Sequence, residues 1–108
     1  MSGYIYEVRT NCTDPAREAE YNDWYNNIHL PDVFELPGFV RAIRCVNTDA
    51  GEGQAKYITY YEIETDDIDA FVKAHGENVV RKREAGRMSD LVSMVNRVIY
   101  KQIYTHDR

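Results

Sequence analysis

The chain has 108 residues, a length that suits one small domain built on a single core. Its 18 acidic residues outnumber 13 basic ones, a net charge of −5 that disfavours nucleic acid, because phosphate binding needs a basic face. A 44% hydrophobic and 29% charged composition argues against disorder, and the apolar runs are only a few residues long, too short to span a membrane.

The opening MSGYIYEVRT lacks the charged-then-apolar pattern of a secretory leader. Tyr4, Tyr6 and Val8 alternate there with Ile5, Glu7 and Arg9, which predicts a first strand. NCTDP breaks it, and Asp14 followed by Pro15 forms a good helix start. Tyr21, Trp24, Tyr25 and Ile28 then mark one face of a helix ending near His29. One more short turn, Pro31 to Leu36, is stopped by Pro37-Gly38. A second strand is expected over Phe39 to about Val46, a turn-rich loop over Asn47 to Gln54, and a third strand over Lys56 to Glu64. The acidic stretch Thr65 to Asp69 starts a second helix, with Ile68, Phe71, Val72 and His75 on one face and a break or bend at Gly76. Glu77 to Met88 is polar, and a last strand runs from about Met94 to Tyr104. The order β-α-β-β-α-β predicts one α+β domain over 1–108, a ferredoxin-like sandwich with an antiparallel four-stranded sheet and two helices on one face. Cys12 and Cys45 form no metal pattern and no disulfide framework, so a cytoplasmic protein with free thiols is expected.

Both faces of the predicted sheet carry large apolar groups. Tyr57, Thr59, Tyr61 and Ile63 oppose Ile58 and Tyr60 in the third strand. Val95, Ile99 and Ile103 alternate with Met94, Val98, Tyr100 and Tyr104 in the last. Contiguous apolar surface rarely stays exposed, so a second copy is expected to cover the open face as a homodimer.

The stretch YNDWYNNIHLPDVFELPGFV, Tyr21 to Val40, carries most of the chemical signal. His29 stands at a helix end with a pKa that small shifts move across neutrality, which suits a general acid or base. A structural role at the helix C-terminus is the alternative. The nine tyrosines admit two roles: core packing, or an aromatic pocket for a flat ligand held by a few polar groups. If Tyr4 and Tyr6 share a side with Tyr57 and Tyr61, they and Trp24 would line such a pocket. His75 is a candidate second acid/base group, an axial haem ligand, or a partly buried structural histidine. The three histidines lack zinc-ligand spacing, so no metal is expected. Arg81-Lys82-Arg83 with Arg87 is a candidate clamp for an anionic group, or simply a solvated helix face. No phosphate loop, dinucleotide motif or serine-nucleophile motif is present.

The same stretch resembles the signature of the EthD-like proteins of the dimeric α/β-barrel superfamily. The matching features are Tyr21, Trp24 and Tyr25 on the first helix, His29 with Pro31, and Pro37-Gly38-Phe39 opening the second strand. The resemblance implies a dimer whose sheets pack into a barrel, with a pocket between sheet and helices in each subunit. It also maps His29 onto the family histidine, the expected proton-transfer group. The superfamily includes isomerases, polyketide cyclases, cofactor-free monooxygenases and haem-degrading enzymes. Where related cyclases carry a histidine-proline pair and a further histidine, this chain has His75-Gly76-Glu77-Asn78.

Three functions follow as expectations. The first is a cofactor-free isomerase, cyclase or lyase acting on a small aromatic, lactone or polyketide-like molecule. His29 would move the proton, Tyr6 or Tyr61 would hold the developing enolate, and Trp24, Tyr4, Tyr25 and Tyr57 would form the walls. The second is a monooxygenase, either cofactor-free or haem-dependent through His75, with Arg81 to Arg83 near the propionates. The third is a non-catalytic metabolite-binding protein.

Overall fold

The computed structural model describes residues 2–108. Four strands, β1 (Ser2–Cys12), β2 (Phe39–Val46), β3 (Tyr57–Thr65) and β4 (Val92–Lys101), form one sheet in the order β2-β3-β1-β4. Every neighbouring pair is antiparallel. The helical elements cover one face, giving the expected α+β ferredoxin-like sandwich. β1 is longer than its alternation suggested because it pairs on both sides along most of its length.

Asp14 caps the first helical segment, its side chain accepting from the Ala16 amide at 3.0 Å. A 3₁₀ turn (Pro15–Arg17) leads into α1 (Glu18–Trp24), a π-helical stretch (Tyr25–His29) and α2 (Leu30–Val33). The segment therefore does not end near His29; it widens there and continues. Gly38 stops it with φ of 113°, and a Cβ at that position would lie 2.6 Å from the Phe71 ring. Only glycine fits such a turn without strain.

α3 (Ile68–Glu84) begins at Asp67, whose side chain accepts from the Ala70 amide at 3.1 Å. It runs through Gly76 without the expected break. Missing side-chain packing weakens a helix but does not interrupt its backbone hydrogen bonds when good helix formers flank the glycine.

The register explains which strand residues reach the helices. Tyr4, Tyr6, Val8 and Thr10 face Ile63, Tyr61, Thr59 and Tyr57 across the β1–β3 pair, so all share the covered side. In β4 the expected strict alternation fails. A register shift at Arg9/Thr10 pairs Tyr6 with Ile99 but Thr10 with Met94, which brings Met94 onto the same face as Ile99. Ile103 and Tyr104 lie beyond β4 and are 93% and 80% exposed.

Two buried clusters result. One joins Tyr6, Tyr61 and Ile63 of the sheet to Val33 and Phe71 of the helices. The other joins Tyr21, Trp24 and Tyr25 to Tyr57 and Leu91. Cys12 and Cys45 are free thiols. Among the described residues, no helix is long and apolar enough to cross a membrane.

Candidate functional site

Between the two clusters the covered face of the sheet and the helices enclose a cavity of about 240 Å³. His29, Trp24 and Tyr25 line it from the first helical segment, Tyr6 and Tyr61 from the sheet, and His75 from α3. A more open hollow of about 400 Å³ shares Tyr6, His75 and Arg97 as walls and extends along Phe71 and Val72.

The π-helical stretch sets the entrance wall. The Leu30 amide donates to the Tyr25 carbonyl, five residues back rather than four. One extra residue in that turn lets Trp24, Tyr25 and His29 all face the same cavity. The His29 ring stacks on Trp24 with centroids 4.8 Å apart, and meets Tyr25 edge-on at 5.0 Å. The Tyr25 and Tyr61 hydroxyls lie 3.3 Å apart, and Tyr61 stacks on Tyr6 at 5.6 Å. Tyr6 meets His75 edge-on at 5.8 Å. An unbroken run of aromatic rings therefore links the two histidines.

Other contacts hold this wall in place. The Trp24 indole N–H donates to the Arg87 carbonyl at 2.9 Å. The Arg87 guanidinium donates to both Asp32 oxygens, at 2.7 and 3.1 Å. The Asn78 amide of α3 donates to the Asp32 carbonyl at 3.1 Å. The Arg44 guanidinium sits 4.2 Å over the Tyr25 ring and supports it from behind.

Burial governs the electrostatics. It pushes the His29 imidazole down to about 4, with His75 and Arg44 adding to the shift and Asp32 opposing it. His75 is also lowered, first by burial and then by the Arg97 charge. Both imidazoles are therefore neutral at neutral pH, each with a lone pair to accept a proton. Burial raises the Tyr61 phenol well above its usual range and raises Tyr6 as well, where Arg97 partly opposes it. Both remain O–H donors. The His75 Nδ1 is buried without a hydrogen-bond partner.

Six of the sequence candidates meet here: His29, Tyr6, Tyr61, Trp24, Tyr25 and His75. Tyr4 and Tyr57 do not. Tyr4 lines a separate shallow depression with Ile68 and Lys101, near the end of the sheet. Tyr57 packs on Tyr21, and its hydroxyl donates to Glu18 at 2.7 Å while accepting from Asn22 at 3.3 Å. Sharing a sheet face was not enough, because the first helical segment covers the Tyr57 end of β3. The basic run is also split. Arg87 is paired with Asp32, and Lys82 with Glu35 at 2.8 Å, leaving Arg83 alone of the four to line the cavity. Arg81 lies instead in a surface groove with Lys82 and Glu35. Of the residues expected near haem propionates, Arg81 and Lys82 lie away from the His75 cavity and only Arg83 borders it, so this set does not fit a haem. Arg97, a cation on the covered face of β4, shares the alternation phase of Ile99 and was not singled out, because a lone charge in a strand gives no sign that the helices leave a cavity beside it.

A family model described as Domain of unknown function (DUF4286) matches residues 3–102. The chain belongs to this family. No curated protein matches this DUF4286 member in sequence. Among solved structures it is similar to HapK from Hahella chejuensis, at 17% identity and TM-score 0.72, with 97% of each chain covered. It is also similar to SnoaB, a cofactor-independent oxygenase from Streptomyces nogalater, at 15% identity and TM-score 0.62, with 97% of each chain covered. An ethyl tert-butyl ether degradation (EthD) family protein from Bacillus halodurans C-125 matches at 17% identity and TM-score 0.56, over 95% of this chain and 100% of that one. At such identities the likeness speaks for the fold alone, the ferredoxin-like sandwich described above. The resemblance carried by Tyr21 to Val40 holds at that level.

Proposed function

We propose that the chain is a small-molecule enzyme that moves a proton on a flat aromatic, lactone or polyketide-like molecule. The carrying observation is the convergence of His29, Tyr6 and Tyr61 on one enclosed, ring-lined cavity. Neutral His29 takes a proton from a carbon next to a carbonyl. The C–H electron pair moves onto the carbonyl oxygen, and the enolate accepts a hydrogen bond from Tyr61 or Tyr6. Return of the proton to a different carbon is an isomerisation; attack of the enolate on a second carbonyl of the same molecule is a cyclisation. Stacked rings at the spacing of Tyr6 and Tyr61 favour a flat reactant and exclude water.

One observation supports a second reading. SnoaB, which shares the fold, is described as a cofactor-independent oxygenase. The same enolate could then be trapped by dioxygen instead of a proton or a carbonyl carbon.

A test uses 2-tetralone, a flat bicyclic ketone with acidic C–H bonds, in deuterated buffer. The protein should accelerate exchange at the carbon between ring and carbonyl, and His29→Gln should lower that acceleration by about two orders of magnitude. Oxygen uptake with the same ketone would favour the oxygenase reading. Binding without exchange would favour a metabolite-binding protein and overturn catalysis.

We also infer that a second copy covers the open face of the sheet. Ile43, Val95 and Tyr100 are 43%, 44% and 49% exposed on the isolated chain. At the centre of that face Glu7 is buried, paired with Arg9 at 3.1 Å and accepting from the Tyr100 hydroxyl at 3.2 Å. Arg41 and Glu62 pair beside it, so the face carries both charge signs, as a self-complementary interface needs. Native mass spectrometry should show two chains of 12.6 kDa together, and Tyr100→Lys should release monomers. A wild-type monomer at micromolar concentration would remove this inference.

A further inference from the structure

We propose that the substrate carries an oxyanion, a carboxylate on or beside its flat ring, and that the Arg97 guanidinium receives it. This rests on the reading of the cavity as a substrate site and adds the chemical class of the substrate.

Three observations point the same way. First, no aspartate or glutamate lines either the inner cavity or the hollow beside it, although the chain holds 18 acidic residues against 13 basic ones. An acidic protein has cleared one region of negative charge. Second, that region keeps cations: Arg97 borders both spaces and Arg83 borders the inner one. Third, Arg97 has no ion pair among the described residues. Six other basic side chains do: Arg9, Arg17, Arg41, Lys56, Lys82 and Arg87 each hold a carboxylate. Arg44, which has none, spends its charge on the tyrosine rings instead. Arg83 has no carboxylate partner among those pairs either, but Arg97 is the one of the two that borders both spaces, in a lining it shares with Tyr6.

An exposed, unpaired arginine loses little hydration on its own surface, and a ligand carboxylate can meet its planar fork with two parallel hydrogen bonds. The ring of such a ligand would extend toward Tyr61 and His29, along the aromatic run between the histidines. The bound anion would also offset the Arg97 charge that helps to lower the His75 imidazole.

Isothermal titration with 2-naphthoate and 2-naphthamide separates charge from shape, since the two share a ring system and differ in ionisation. The wild-type protein should bind the acid at least about tenfold more tightly than the amide, as expected of a charge-assisted bidentate contact. Raising the salt should narrow that gap. Arg97→Gln should bring the two affinities together, while Arg97→Lys should restore part of the difference. Because Arg97 is exposed, both variants should keep the wild-type melting temperature, which checks that the fold is intact. Equal binding of acid and amide by the wild type, or a preference that survives in Arg97→Gln, would overturn the proposal and leave the pocket standing. Failure of both naphthalenes to bind the wild type would overturn the pocket reading with it.

Discussion

The His29 imidazole lies nearly parallel to the Trp24 indole, their planes inclined by 20°. The indole covers one face of the imidazole, and Tyr25 closes an edge. This packing removes water from the ring and makes the charged form unfavourable. The same contact that positions the base thus sets its protonation state.

That environment predicts a pH dependence of stability. The ordinary imidazole titrates at 6.5, and His29 in the folded protein at about 4. Between these values the unfolded chain binds a proton that the native state refuses. Stability is therefore full above pH 6.5 and declines as the pH falls toward 4, by on the order of 1–2 kcal/mol at pH 5. His75, lowered in the same direction, adds to the decline. Urea denaturation at pH 7.5 and pH 5 should show the loss, and His29→Gln should shrink it. An equal drop in the variant would mean that His29 takes its proton freely in the folded state.

Trp24→Phe keeps a flat ring beside His29 but deletes the indole N–H that binds the Arg87 carbonyl. A partly buried carbonyl left without its donor should lower stability by about 1–3 kcal/mol. Thermal melting measures the loss, and quenching of the remaining tyrosine fluorescence reports any loosening of the cavity wall. An unchanged melting temperature would show that water replaces the indole at that carbonyl.

Gly76→Ala should stabilise the protein. A Cβ there meets nothing within 4 Å, and α3 is regular through the position. Replacing glycine in a helix interior stabilises by about 0.5–1 kcal/mol. The added methyl would stand at the wall of the outer hollow, so ligand affinity should change as well. A lower melting temperature would mean that the helix needs glycine at that point.

The element order was legible because period-2 and period-3.6 patterns are strong over Tyr4 to Val8, Tyr21 to Ile28 and Tyr57 to Ile63. Asp14 and the Pro37-Gly38 stop were legible from local backbone chemistry alone. The length of α3 was not, since Glu77 to Glu84 has a polar pattern and its support comes from tertiary bonds such as Asn78 to Asp32. The site was half legible. His29, Trp24 and Tyr25 announced themselves through one dense motif, but the exclusion of Tyr57 depends on where the first helical segment lies. Arg97 keeps the phase of Ile99, but a lone charge in a strand does not reveal that the helices leave space beside it.

The widened turn at Tyr25 to His29 has a consequence for how this gene can change length. A π-helical turn holds one residue more than an α-helical one, so deleting Asn26 or Asn27 would leave a chain able to close into regular α-helix. Because the widened turn already accommodates that residue, the flanking helices would keep their relative phase, with Trp24 and His29 then four positions apart on one face. Single-codon losses should therefore be tolerated better here than in α1 or α3, where each would rotate the following residues by about 100°. In the exposed loop from Asn47 to Gln54, which joins β2 to β3 away from the cavity, gains and losses of residues should accumulate freely.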